Sequence, residues 1–153
     1  MLRALILGAL LALVTSRANA RLWETISQTE ARYGHALQTF PGDAPGEEQR
    51  KYRYKDFYIL VAFLDGRSDG EWYVHVDGKT PFSDREIQFF LSMTSGGKPW
   101  KKSSDVSDVW SLGGSSLESW KAVAAYFPEL PGTTIPELSI YTIVRAKKVM
   151  KIP

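Results

Sequence analysis

Any chemistry this chain performs has to come from a small set of residues. It has two histidines, His35 and His75, and no cysteine, so thiolate metal sites and cysteine nucleophiles are excluded. Either imidazole could serve a metal site or a base–nucleophile pair. His35 directly follows Gly34, where a cation suits the C-terminal end of a helix. His75 shares a strand face with Tyr73 and Asp77, and with that carboxylate it is the arrangement through which a small exported hydrolase would work. No H-x-x-x-H or H-E-x-x-H spacing occurs. Asp65, Asp69 and Glu71 surround two glycines, but a calcium loop of the EF type needs carboxylates at alternating positions, where Arg67 and Gly70 stand instead. A hairpin turn accounts for that cluster better. Gly113-Gly114-Ser115-Ser116-Leu117 breaks the G-x-S-x-G elbow at its last glycine, and Gly96-Gly97-Lys98 lacks the rest of a phosphate loop. The sequence therefore calls for no metal and no cofactor.

The aromatic residues offer a binding reading instead. Trp72, Trp100, Trp110 and Trp120, with Tyr73, could present a platform for sugar rings or for a peptide, although most aromatics of this kind are packed into a core. Trp100 is the best exception, because it lies in the Gly/Lys/Ser-rich stretch 96–104 beside Lys98, Lys101 and Lys102. The candidate partner-binding set is thus Trp100, Lys101 and Lys102 on a loop, with Tyr73 and His75 on a strand. Arg145, Lys147, Lys148 and Lys151 form a second basic patch, read as a solvated edge that discourages strand-to-strand aggregation.

These residues must be held by a definite set of elements. Leu22, Ile26, Thr29 and Tyr33 repeat with helical spacing, and Gly34 can stop that helix, so residues 22–33 read as the first helix. A Pro/Gly/acid-rich loop follows from Phe40 to Glu48. Residues 49–77 read as a meander of strands. Tyr52 and Tyr54 alternate with Lys51, Arg53 and Lys55, and Trp72, Val74 and Val76 alternate with Tyr73, His75 and Asp77. Residues 57–64 are apolar at nearly every position, as in a central strand covered on both faces. Ser83 and Glu86 form a capping box, Phe82 and Ile87 its hydrophobic staple, and Gly96-Gly97 the stop of a second helix. In the last third, residues 119–127 fit either a strand or a helix opened by a second box at Ser115 and Glu118. Residues 138–149 begin as a strand. The favoured reading is a hairpin of 119–127 with 138–147. No internal repeat stands out: Trp100, Trp110 and Trp120 are evenly spaced, but their flanks differ.

The N-terminus reads as an export label. Arg3 precedes an apolar run from Ala4 to Val14, and Ala18-Asn19-Ala20 is a small-x-small cleavage signature. The run is too short for a membrane span, which needs about 20 residues. The expected organisation is a signal peptide over 1–20, cleaved after Ala20, and a single α+β domain over 21–153 in a periplasmic or secreted protein. Removing Arg3 and Arg17 leaves 17 basic and 17 acidic residues, so the precursor's charge of +2 gives no reason to expect nucleic acid as a partner. No membrane span is expected in the mature chain. All 19 aromatic residues fall beyond Ala20, enough for a core without disulfides.

Glu30-Ala31-Arg32-Tyr33-Gly34, the strand and turn from Phe57 to Gly66, and Ser83-x-x-Glu86-Ile87 resemble a group of small exported bacterial proteins of unknown function. In that group the final third also looks like strands following a Trp. A more distant similarity is to small α+β envelope domains of the outer-membrane-assembly-lipoprotein and lactamase-inhibitor type, which place a helix before a β-meander. Those lipoproteins carry a lipidated cysteine, which this chain lacks. The resemblance implies no activity. The expected fold is α+β, with an N-terminal helix, an antiparallel sheet of about five or six strands and one capped helix packed on it. The expected function is non-catalytic binding of a protein or cell-wall partner. The alternatives are the His75 hydrolase and a purely structural module whose helix packs on another protein's sheet edge.

Overall fold

The computed structural model describes residues 22–43, 45–114, 116, 119–129 and 134–150. The export label, its cleavage site and the Ser115–Glu118 box lie outside the described residues. In chain order the elements are α1 (Ile26–Tyr33), β1 (Gln38–Pro41), β2 (Glu47–Tyr54), β3 (Phe57–Leu64), β4 (Arg67–His75), α2 (Asp84–Thr94), β5 (Lys101–Lys102), β6 (Val109–Gly113), β7 (Trp120–Phe127), β8 (Glu137–Thr142) and α3 (Ile143–Met150). All eight strands join one antiparallel sheet in the order β1-β2-β3-β4-β8-β7-β6-β5.

This corrects the expectation of five or six strands and two helices. β1, β5 and β6 are short strands that periodicity does not register. The C-terminal segment is not one strand over 138–147. It is a six-residue strand that passes directly into a helix, with Ile143 and Ala146 one turn apart and both packed inward. The strand order also carries a repeat that the residues conceal. A helix and a four-strand meander occur twice, and the two meanders meet at β4 and β8 as the halves of an approximate two-fold arrangement.

Both helices that lead these halves start the same way. Thr25 and Gln28 form a capping box at α1, and Ser83 and Glu86 form one at α2. Gly34 ends α1 with φ at 85°, a conformation open to glycine, and its amide bonds to the Glu30 carbonyl. α1 and α2 cover the same sheet face, where Tyr33, Ile87, Phe90 and Leu91 pack on Tyr52, Ile59, Tyr73, Leu138 and Ile140. One carboxylate is buried in this core. Glu71 accepts hydrogen bonds from the hydroxyls of Tyr33 (3.0 Å) and Tyr73, and lies 3.6 Å from the Arg32 guanidinium. Burial and then the charge of Glu71 push both phenols well above their ordinary value, so they stay protonated donors.

Partial burial raises the Glu86 carboxyl, but hydrogen bonds from the Ser83 amide and hydroxyl, with the nearby His75, outweigh it and hold it below the usual range. Ser83→Ala should therefore cost about 1 kcal/mol at neutral pH, seen as a melting-temperature drop of about 3–5 °C. A depressed carboxyl contributes stability above its unfolded value of 4.5 that is lost as pH falls through the folded value. The gap between wild type and Ser83→Ala should accordingly narrow in melts below about pH 4.

Candidate binding groove

Strand alternation sends Phe57, Ile59, Val61 and Phe63 of β3 under the helices and turns Tyr58 and Leu60 to the opposite face. The registers place Lys51 of β2, Leu60 of β3, Trp72 of β4 and Ser139 of β8 in one row across that outer face. Tyr58 and Val74 lie in the next row. Lys51, Tyr58, Leu60, Trp72 and Val74, together with Phe40, Gln49 and Glu137, line an open groove of about 590 Å³, while Ser139 is buried beside it. Its floor is apolar and aromatic, and its polar groups stand at the rims.

The other half of the outer face is occupied. α3 turns back from the end of β8, and Ile143 and Ala146 pack with Val123, Tyr141, Trp72, Val109 and Trp120. Arg145 secures it: Nη1 donates to Glu47 Oε1 (2.6 Å) and to Asp69 Oδ1 (3.2 Å), and all three side chains are buried. Lys148 Nζ adds a 3.0 Å bond to the second Glu47 oxygen. Burial raises the Glu47 carboxyl, and the bonds from Arg145 and Lys148 more than reverse this, leaving it below its ordinary value. At Asp69 burial wins over the attraction of Arg145, so this carboxyl lies above its ordinary value. Gly70 makes the approach possible, since a Cβ there would stand 2.8 Å from the Arg145 Cδ and 3.1 Å from the Tyr141 ring. The guanidinium also lies 5.2 Å from the Trp72 ring centroid, so Trp72 belongs both to the α3 packing and to the groove wall.

The residues singled out in the sequence do not converge. Tyr73 is fully buried on the helix side, bonded to Glu71, where no partner reaches it. Trp100 is half-buried, and its indole N–H donates to the Leu91 carbonyl (2.6 Å) near the end of α2. Lys101 and Lys102 are exposed on β5 at the far edge of the sheet, with Lys102 3.4 Å from Asp108. His75 packs against Phe57 and Phe82, and its Nε2 lies 3.6 Å from Glu86, the capping residue. Asp77 is held down to about 2 by hydrogen bonds from the Thr80 hydroxyl and the Lys79 and Thr80 amides, which makes it the cap of its own turn. His35 is exposed just after α1. Arg145 and Lys148 are clamps for α3 more than an edge patch.

Sequence reasoning missed Phe40, Gln49, Lys51, Tyr58, Leu60, Val74 and Glu137. A signal existed. The unbroken apolar run of β3 calls for cover on both faces, and among the described residues Tyr58 and Leu60, on the outer face, receive it only in part. No described group of three or more His, Asp or Glu side chains could hold a metal ion, and no described helix is long and apolar enough to cross a membrane.

No protein-family model matches the chain, and no curated protein matches it. Among solved structures, it is similar to a cysteine-rich secretory protein of Staphylococcus aureus subsp. aureus Mu50, with a TM-score of 0.49 and 11% identity. The match covers 84% of this chain and 47% of that one, so this chain spans about half of its length. A likeness at that level carries neither fold family nor activity across. The groove has to speak for itself.

Arg145→Ala would leave Asp69 buried without a cation and Glu47 with Lys148 alone, a loss of about 3 kcal/mol unless the helix lifts and lets them rehydrate. Trypsin should then cut after Lys147 and Lys148 at least about tenfold faster, following the open population. Trp72 emission should shift to the red. Unchanged cleavage would mean that Ile143 and Ala146 hold α3 without the clamp.

Proposed function

We propose that this chain is a non-catalytic binding domain of an exported protein and that it binds its partner in the outer-face groove. One observation carries this reading: the central strand β3 is apolar on both faces, and where its helix side is buried its outer side leaves Tyr58 and Leu60 only half-buried, open to the groove. Large apolar side chains gathered in a concavity with polar groups at the rim are the usual composition of a recognition site. Export is supported by the leader sequence, and a binding role is supported by the placement of His75 and Asp77, each engaged in packing or a turn. The reading moves the binding surface from the Trp100 loop to Tyr58, Leu60, Trp72 and Val74. Trp100 serves α2 in the same account.

A pull-down from envelope extract separates the two surfaces. Leu60→Asp should reduce recovery of a partner by about tenfold or more, since a charge at the centre of an apolar contact is poorly tolerated. Trp100→Ala and Lys101→Ala should leave recovery unchanged, with circular dichroism verifying that each variant is folded. Loss of the partner with Trp100→Ala and its retention by Leu60→Asp would return the binding surface to the loop.

A further inference from the structure

The rims of the groove carry opposite charges. Lys51 stands on β2 and Glu137 on β8, three strand positions away across β3 and β4. At about 4.8 Å per strand, with Glu137 two residues along β8 from the Lys51 row, their backbones are about 16 Å apart. That exceeds the screening length of about 8–10 Å in physiological salt, so the two groups do not neutralise one another. Neither has an opposite charge of its own in the described structure. The Lys51 ammonium rests 4.0 Å from the Tyr58 ring centroid, and the Glu137 carboxylate accepts a single hydrogen bond, from the Ser139 hydroxyl. Between them lie Leu60, Trp72 and Val74.

Resting on the binding role given to this groove, we infer that its ligand is an extended polypeptide segment with an apolar centre flanked by one acidic and one basic side chain. The acid meets Lys51, the base meets Glu137, and the apolar centre covers Leu60, Trp72 and Val74. At about 3.3 Å per residue, the two charged positions are four or five residues apart. A neutral glycan can offer hydroxyls to Glu137 but brings no anion for Lys51, whereas this polypeptide complements both rims. The half-buried Glu137 contributes most to selectivity, because a partner lacking its cation leaves a carboxylate desolvated and unmatched.

A random twelve-residue peptide library displayed on phage tests this with the full mature chain. The expected enrichment is for peptides with an acid and a base four or five residues apart around apolar residues. Glu137→Gln and Lys51→Ala should each weaken the best synthetic peptide about fivefold or more, and Leu60→Asp should abolish binding. The double variant Lys51→Glu with Glu137→Lys should recover binding only for the same peptide with its acid and base exchanged, a rescue that a merely structural role for either residue would not give. Peptides that bind in the groove, are lost with Leu60→Asp and ignore both charge changes would overturn the inference and leave the groove's binding role standing. Peptides indifferent to Leu60→Asp, or no enrichment alongside binding of chitotetraose, would overturn the inference as well, the first result together with the groove reading.

Discussion

A guanidinium laid over a glycine holds the architecture together. β4 and β8 meet where the two meanders join, and Gly70 stands in that seam opposite Tyr141. With no side chain at Gly70, Arg145 passes across the seam from α3 and reaches Glu47 at the start of β2 and Asp69 beside the glycine. One residue thereby ties the last helix to the first meander. It also decides how far α3 extends over the outer face, and so which part of that face stays open. Trp72 is fixed between Tyr141 and Arg145 on one side and the groove on the other.

The two buried charge clusters serve different ends. Glu71, Tyr33, Tyr73 and Arg32 join α1 to β4 inside the helix-side core. Arg145, Glu47, Asp69 and Lys148 join α3 to the outer face. Buried ion pairs add little net stability compared with apolar packing of the same volume, but they tolerate few alternative arrangements. Both clusters are best understood as fixing position. The first sets α1 on the sheet, and the second sets the boundary of the groove.

Much of the frame was legible because it is local. The capping box at Ser83, the apolar run of β3 and the alternation of Tyr52 and Tyr54 with Lys51 and Arg53 all report on neighbours within a few residues. The hairpin of β7 with β8 could be read for the same reason. What failed was non-local. Alternation in β4 separates Trp72 and Val74 from Tyr73 and His75, but it does not say which set meets the helices; Glu71 and Tyr73 went inward because Tyr33 and Arg32, some forty residues earlier, supply their partners. Arg145 looked like a surface cation because its acids, Glu47 and Asp69, are distant in sequence and close only across the β4–β8 seam. Ile143 and Ala146 read as part of a strand because Leu138–Thr142 runs into them without a break. The groove is hidden because an apolar run calls for cover along both faces, whereas the outer face of β3 is covered at Ala62 and half-open at Tyr58 and Leu60.

The central claim is that ligands meet this chain on the open half of the outer face. Methyl chemical shifts measured on the labelled protein during titration with a bound peptide or purified partner test it most directly. Leu60 and Val74 should shift progressively and saturate together, while Ile87 and Leu91, on the helix side, should stay fixed. Shifts confined to Leu91 and the surroundings of Trp100, with Leu60 and Val74 unmoved, would contradict the account.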